Sequence, residues 1–309
     1  MPERIAVELS AAITAVTAET PRVLTLETAN SERPALPSGE FEPSLDRTIE
    51  LGIRRWVRDQ SHIELGYVEQ LYTFGDRFRD PREAGGGPRT LSIGYLALVR
   101  TSAAEAARHQ IWREWYEFLP WEDWRRGRPP LLDRDIRPML QRWAAAAEGT
   151  ERTKRRERIE TSFGFSSQTW NRDAVLERYE LLYEAELVTE AVDPRKKRLE
   201  PRLGAPMALD HRRILATAMG RLRGKITYRP VIFELLPPHF TLTQLQRSAE
   251  AIAGVRLHAA NFRRLIESEG LVEPAGGLTA GRRGRPAQNY RFRRDVLLER
   301  PSPGVRVSR

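Results

Sequence analysis

The chain has 309 residues, 40% hydrophobic and 30% charged, with no cysteine and a formal net charge of +9. That length allows two domains with sizeable cores, and the missing cysteines exclude disulfides, thiolate zinc sites and a thiol nucleophile. No apolar run approaches the roughly 18 residues that span a bilayer, and the start MPERIAVELS lacks signal-peptide order, so a cytoplasmic protein with no membrane partner is expected.

The charge is uneven. Residues 227–309 hold 14 Arg/Lys against 7 Asp/Glu, which is +7 of the +9. Arginine dominates, and its planar fork suits phosphates and guanine edges. A polyanionic partner is implied, with a solvated basic surface as the plain alternative.

In chain order, residues 5–18 and 22–27 alternate apolar and polar side chains and read as strands. Ala35 to Pro43 reads as a loop. From Ser44 to about Ser61, Leu45, Ile49, Ile53, Trp56 and Val57 recur at helical steps. YVEQLYTFGD (67–76) predicts a strand, the glycines at 85–87 a loop, and TLSIGYLALV (90–99) a buried strand. Mixed elements in this order imply an α+β domain.

Residues 101–160 read as an inserted helical subdomain in which Trp112, Trp115, Trp121, Trp124 and Trp143 are core rather than a stacking platform. The basic run at 152–158 reads as a solvated face, 172–188 as a helical pair, and 193–202 as a charged loop. Residues 207–225 predict an amphipathic helix capped by Asp210, with Ile214, Leu215, Ala218 and Leu222 as its stripe and Gly224 as its stop. A domain boundary is placed after it, giving 1–226 (insertion about 101–205), 227–298 and a flexible tail at 299–309.

The C-terminal segment is the clearest. Residues 230–236 predict a short helix, and Thr241 with Gln244 has capping-box spacing for a helix at 242–253. Gly254 to Leu257 is a tight turn into a second helix at 258–269, ended by Gly270. Phe262, Leu265 and Ile266 point inward, while His258, Asn261, Arg263 and Arg264 form the other face. LVEP and NYRFR predict a hairpin whose Gly- and Arg-rich connection carries Arg282, Arg283 and Arg285. This order is a winged helix-turn-helix. Its second helix suits the major groove, Asn261 an adenine, Arg263 or Arg264 a guanine or phosphate, and the wing arginines phosphates or the minor groove. Thr241, Thr243 and Gln244 start the preceding helix, whose amides suit a phosphate. A winged helix used for protein contact is the alternative.

The run 228–272 with 281–292 resembles the winged-helix domain of Nudix-related transcriptional regulators of the NrtR type. LGYVEQLYTFGDRFRDP (65–81), LSIGYLALV (91–99) and MALDHRRILATAMGRLRGK (207–225) are similar to their Nudix half. The insertion WYEFLPWEDWRRGRP (115–129) and LERYELLYEAELV (176–188) look like the longer alphaproteobacterial relatives called NadQ. The resemblance implies a Nudix-like α/β/α sandwich with a helical insertion, followed by the winged helix. It also implies a homodimeric repressor of NAD synthesis or salvage genes on a palindromic operator. An adenine nucleotide (ADP-ribose, ATP or NAD) would alter DNA binding, with no cofactor required.

The helix of the Nudix box aligns with Arg55 to Ile63, preceded by LPSG (36–39). Trp56 and Gln60 stand where that motif has glutamates, His62 where it has glycine, Arg47 near its distant glutamate, and Asp59 keeps one carboxylate. Magnesium prefers several oxygen ligands, so no hydrolase activity, catalytic residue or metal site is expected. The alternative is a magnesium-dependent hydrolase of ADP-ribose-like pyrophosphates using Asp59 with Glu50 or Glu64. Candidate nucleotide contacts are Arg47, Arg55, Tyr72, Phe74 and Asp76, of which Tyr72 and Phe74 could equally be core. His211 and His239 read as structural.

Overall fold

The computed structural model describes residues 5–28, 31–77, 80–84, 86–100, 111–166, 170–191, 203–279, 287–299 and 304–305. Strands β1 (Ile5–Thr17) and β2 (Thr20–Thr28) form an antiparallel hairpin. Ala18 and Glu19 close it at φ 48° and 62°, a turn whose twist matches that of the flanking strands. β3 (Ser31–Ala35) extends β2, and β4 (Ser38–Glu40) pairs with β1. The short β4 lies inside the segment expected to be loop. β5 (Tyr67–Phe74) and β6 (Arg89–Leu98) complete the order β3-β2-β1-β6-β5, with β1 and β6 parallel.

Parallel pairing requires cover on both faces, which explains the nearly continuous apolar run of β1. On one face Leu9, Ile13, Ile93 and Tyr95 pack with Ile53 and Val57 of α1 (Ile49–Ser61). On the other, Ala12, Phe74, Leu96 and Leu98 pack with Ile214 and Leu215 of a helix at His211–Ile226. The result is the expected α/β/α sandwich. α1 starts five residues later than the periodicity suggests. Thr48 caps it, and the Asp46 carboxylate accepts the Glu42 N–H at 3.1 Å, holding 42–46 in a turn instead. A single turn, α2 (Pro81–Ala84), precedes β6.

The insertion opens on a strand. β7 (Ile111–Glu114) pairs with β2, so Trp112 lies on a sheet rather than on the expected helix. α3 (Trp115–Phe118), a 3-10 turn at Pro120–Glu122, a π turn at Leu132–Ile136, α4 (Arg137–Ala145), α5 (Gly149–Phe163) and α6 (Val175–Glu184) follow. Trp115 and Trp121 are fully buried, and Trp124 meets Trp170 with ring centroids 4.7 Å apart. The tryptophans named here are core, each of the buried ones removing a large apolar surface from water. Arg152 to Arg158 on α5 are largely solvent-facing, as expected. Residues 172–188 hold one helix rather than two, and the charged segment 193–202 lies outside the described residues.

The helix at His211–Ile226, here α7, follows. Asp210 occupies its N-cap position without a side-chain capping bond. Gly224 does not stop it; the helix runs on until fully buried Ile226. The C-terminal module comprises a 3-10 turn (Val231–Leu235), α8 (Leu242–Ala253), α9 (Ala259–Ser268), β8 (Val272–Thr279), β9 (Ala287–Phe292) and α10 (Val296–Glu299). β8 and β9 form the antiparallel wing, and Phe240 bridges to Tyr290 beside it. One continuous apolar core runs from Leu96 through Trp121 and Leu222 to Ile252 and Phe262, so the C-terminal module shares its packing with the rest of the chain around Ile226. Gly304 and Val305, in the segment expected to be a tail, instead dock there: Val305 is buried and its N–H donates to the Ile226 carbonyl at 2.7 Å.

Candidate functional site

Two features stand out, a cleft in the sandwich and a polar face on the winged helix. The cleft lies where β1, β4 and the start of β6 meet the first turn of α7. Along β1 the residues facing α7 turn polar toward the strand's start, with Glu8 and Ser10 continuing the row of Ala12. The main cavity is about 820 Å³ and is lined by Val7, Glu8, Arg33, Ser38, Gly39, Arg82, Thr90 and His211, among others. Glu8, Arg82 and His211 also border a smaller recess reaching Phe74, Asp76, Ser92 and Asp210.

Arg82 joins the carboxylates of Glu8 and Asp80, at 2.5 and 2.6 Å. Burial raises the Glu8 pKa, but His211 and the Arg82 guanidinium more than offset this and hold it at about 2. His211 is buried, and its Nδ1 accepts the Leu36 N–H at 2.9 Å. Its Nε2 has no partner within hydrogen-bond distance and faces Glu8 Oε1 at 3.9 Å. The positive end of α7 and two arginines suit an anionic ligand, while the carboxylates suit its hydroxyl or amine donors.

Of the expected nucleotide contacts, Phe74 and Asp76 border the recess. Phe74 is buried against Tyr72, with ring centroids 5.4 Å apart, and Asp76 pairs with Arg213 at 2.6 Å. Tyr72 is exposed, and neither it, Arg47 nor Arg55 lines the cavities described. Arg55 is committed elsewhere. It grips Asp46 with two bonds of 2.9 Å and reaches Glu42 at 3.4 Å, and this contact, with burial working against it, lowers the Asp46 pKa. Glu8, Arg82 and His211 were not singled out as contacts. The one local signal was a glutamate and a serine interrupting an apolar strand.

The Nudix-helix residues act as fasteners. The Trp56 indole N–H donates to the Glu40 carbonyl at 2.9 Å, and its ring covers Gly39 so closely that a Cβ there would lie 2.1 Å away. The Gln60 amide donates to the Ser38 carbonyl at 2.8 Å and accepts the Ser38 N–H at 3.2 Å. Asp59 faces Arg58 at 3.6 Å, Glu50 pairs with Arg54 at 2.9 Å, and Glu64 is exposed. These donors do not fit a magnesium cage. The positions that would supply carboxylates hold an indole and an amide already spent on β4.

In the winged helix, the Thr241 hydroxyl accepts the Gln244 N–H at 3.1 Å, and the Gln244 side chain accepts the Thr241 N–H at 2.7 Å. Thr241 is buried in this cap, so Thr243 is left as the exposed residue of that turn without a capping role. Gly254 ends α8 at φ 69°. The turn into α9 is set by buried Glu250, which accepts from Arg256 at 2.6 Å, Arg247 and Gln246 at 2.9 Å, and the Leu257 N–H at 3.0 Å. Burial raises the Glu250 pKa, but these donors lower it overall. Phe262 and Ile266 are buried, Leu265 partly so, while His258, Asn261, Arg263 and Arg264 are exposed together on α9. Gly276 and Gly277, at φ 72° and 73°, kink β8 where the wing register shifts. Arg282, Arg283 and Arg285 lie outside the described residues.

Residues 232–292 match the family model of the NrtR DNA-binding winged helix domain. The ADPR responsive transcriptional repressor NtrR of Acinetobacter baylyi is 42% identical over 95 residues, which is 30% of this chain and 37% of that protein. The match therefore spans little more than a third of that relative. Among solved structures, the chain is similar to Shewanella oneidensis NrtR complexed with a 27mer DNA, with TM-score 0.59 and 18% identity over 98% of this chain and 99% of that one. It is also similar to a MutT/nudix family protein from Enterococcus faecalis, with TM-score 0.53 and 15% identity over 95% and 88%. At these identities the likeness is one of fold: a Nudix-type α/β/α sandwich carrying a C-terminal winged helix.

Proposed function

We propose that the protein is a DNA-binding transcriptional repressor whose affinity for its operator is set by an adenine nucleotide in a Nudix-like domain that does not hydrolyse it. The observation that carries this is the exposed set His258, Asn261, Arg263 and Arg264 on the second helix of a capped helix-turn-helix. A helix about 12 Å across enters the major groove, where such side chains meet base edges. The wing arginines add phosphate contacts, with Thr243 and the α8 amides at a further phosphate. The 42% identity to a protein named as an ADPR responsive repressor favours ADP-ribose as the effector.

The effector would sit in the cleft of Glu8, Arg33, Arg82 and His211, with Phe74 and Asp76 at its edge. The working form is a homodimer in the cytoplasm on a palindromic site, and the target genes are those of NAD synthesis or salvage. The tryptophan-bearing insertion supports a likeness to the longer NadQ regulators. The test is binding of the purified protein to duplexes it selects from a random pool, at fixed salt, with and without ADP-ribose, ATP and NAD. Selective binding that one nucleotide changes is the expected result. Weak binding indifferent to sequence and nucleotide sinks the reading. The hydrolase alternative predicts magnesium-dependent cleavage of ADP-ribose, whereas Trp56 and Gln60 favour none.

A further inference from the structure

Helix α7 has one end in the cleft and the other in the winged helix. Its first residue, His211, borders the cleft and is tied to the β3–β4 connection through Leu36. Twelve residues on, or about 18 Å along a helix, Arg223 is buried and reaches out of α7 in two directions. Its Nε donates to the carbonyl of Ile252 in the last turn of α8, at 3.0 Å. Its Nη1 donates to the buried carboxylate of Glu122 at 2.6 Å, and that carboxylate also accepts two bonds from Arg178, at 2.6 and 2.9 Å.

The insertion holds the same end of α8. The Tyr116 hydroxyl donates to the Ala251 carbonyl and the Trp124 N–H to the Gly254 carbonyl, each at 2.7 Å. The closing carbonyls of a helix have no partners within it and carry its negative pole. Two guanidiniums and one carboxylate leave a net positive charge against that pole. A buried ion triad contributes little net stability compared with apolar packing, and its best-attested use is to fix one arrangement among alternatives. What it fixes here is the position of the α8 end, two residues before the turn that orients α9.

Resting on the function proposed above, we infer that α7 and the Arg223–Glu122 joint carry occupancy of the cleft to the winged helix. An anionic ligand that engages Arg82 competes with Glu8 for it. Glu8 then closes on the Nε2 of His211, now 3.9 Å away, and the shift of α7 is delivered at Ile252. The ligand acts only through its different affinities for the two placements of α7.

The test uses the full-length protein, a duplex it selects from a random pool, and ADP-ribose, ATP and NAD as probes. In Arg223→Lys the charge stays but the fork that spans Ile252 and Glu122 is lost. DNA affinity without nucleotide should stay within about threefold of the unmodified protein, while the fold-change caused by the nucleotide falls to within about twofold of unity. By reciprocity, DNA then ceases to alter nucleotide affinity. Because this variant could lose its fold, hydrogen exchange in the unmodified protein is the second readout: the effective nucleotide should change protection of the Trp124 amide and of residues 253–257. A folded variant that keeps the full response, or unchanged exchange in a protein that does respond, overturns the joint alone. An unmodified protein that binds no DNA selectively, or ignores all three nucleotides, overturns the proposed function and the joint together.

Discussion

Arg223 and Glu122 are 101 positions apart in the chain and 2.6 Å apart in the structure. Arg223 belongs to the helix that covers the sheet, and Glu122 to the insertion. Arg223 also donates to the Ile252 carbonyl in the winged helix, so three parts of the chain meet at one guanidinium. The apolar core around them is continuous. The insertion is therefore a clamp between the sandwich and the winged helix, and not an appendage to either.

Removing the charge of Glu122 should be costly. Glu122→Gln leaves Arg178 and Arg223, both buried, facing a neutral amide that has one acceptor oxygen where the carboxylate had two. Breaking a buried pair in this way costs about 3–5 kcal/mol. Urea unfolding of the variant against the unmodified protein measures it. A loss below about 1 kcal/mol would mean that the triad is solvated in solution.

Placing a glutamate at position 60 of α1 should not confer hydrolase chemistry. In Gln60→Glu the carboxylate would face the Ser38 carbonyl, where the amide now donates at 2.8 Å. Leaving that carbonyl unpaired beside a like partial charge costs roughly 1–3 kcal/mol. The variant should be less stable than the unmodified protein and release no phosphate-bearing product from ADP-ribose with magnesium. Product release would show that Asp59 and a single added carboxylate suffice for the metal.

The helix-turn-helix was legible because its signals are local. Thr241, Gln244, Gly254 and Gly270 act within a few residues of where they stand. The buried faces of α8 and α9 follow from periodicity alone. What was not legible depended on distant partners. Trp112 lies on a strand because Ile111 to Glu114 pair with Arg22 to Thr25, and four residues carry no periodicity of their own. Gly224 looked like a stop, yet the close approach falls one turn earlier. A Cβ on Gly220 would lie 2.6 Å from the Asp173 carbonyl oxygen, whereas one on Gly224 meets only ordinary contacts. Arg55 looked free for a nucleotide until Asp46 closed on it. The cleft itself gathers β1, β4, β6 and α7, so no stretch of sequence contains it.

Acid should weaken the fold through Glu8. Its carboxyl sits at about 2 in the folded protein against 4.5 for an unperturbed glutamate. A depressed pKa contributes stability that is fully present above the unfolded value and is lost as pH falls through the folded one. The window is therefore about pH 4.5 down to 2, with a loss on the order of 3 kcal/mol from this group. Glu250, lowered by Arg256 and its other donors against burial, adds a loss of the same sign. Melting temperature measured across that window should fall less steeply in Glu8→Gln than in the unmodified protein, and equal slopes would remove Glu8 from the account.

The α9 face and the wing arginines should separate in their salt dependence. Asn261 and Arg264 sit on the exposed face of α9, where bidentate contacts to base edges discriminate sequence. Alanine at either should cost about 1–3 kcal/mol on the selected duplex and relax its preference at one position. Binding to an unrelated duplex should change far less with Asn261→Ala, which removes no charge. The wing arginines Arg282, Arg283 and Arg285 belong to a Gly- and Arg-rich connection whose charge suits phosphates. Replacing all three by alanine should weaken both duplexes alike and reduce the dependence of log affinity on log salt by up to about 3, roughly one unit for each lost phosphate contact. Titrations of both duplexes at four salt concentrations give slope and selectivity together. A wing variant that loses selectivity while keeping its slope would assign the wing to base readout and leave phosphate binding to α8 and α9.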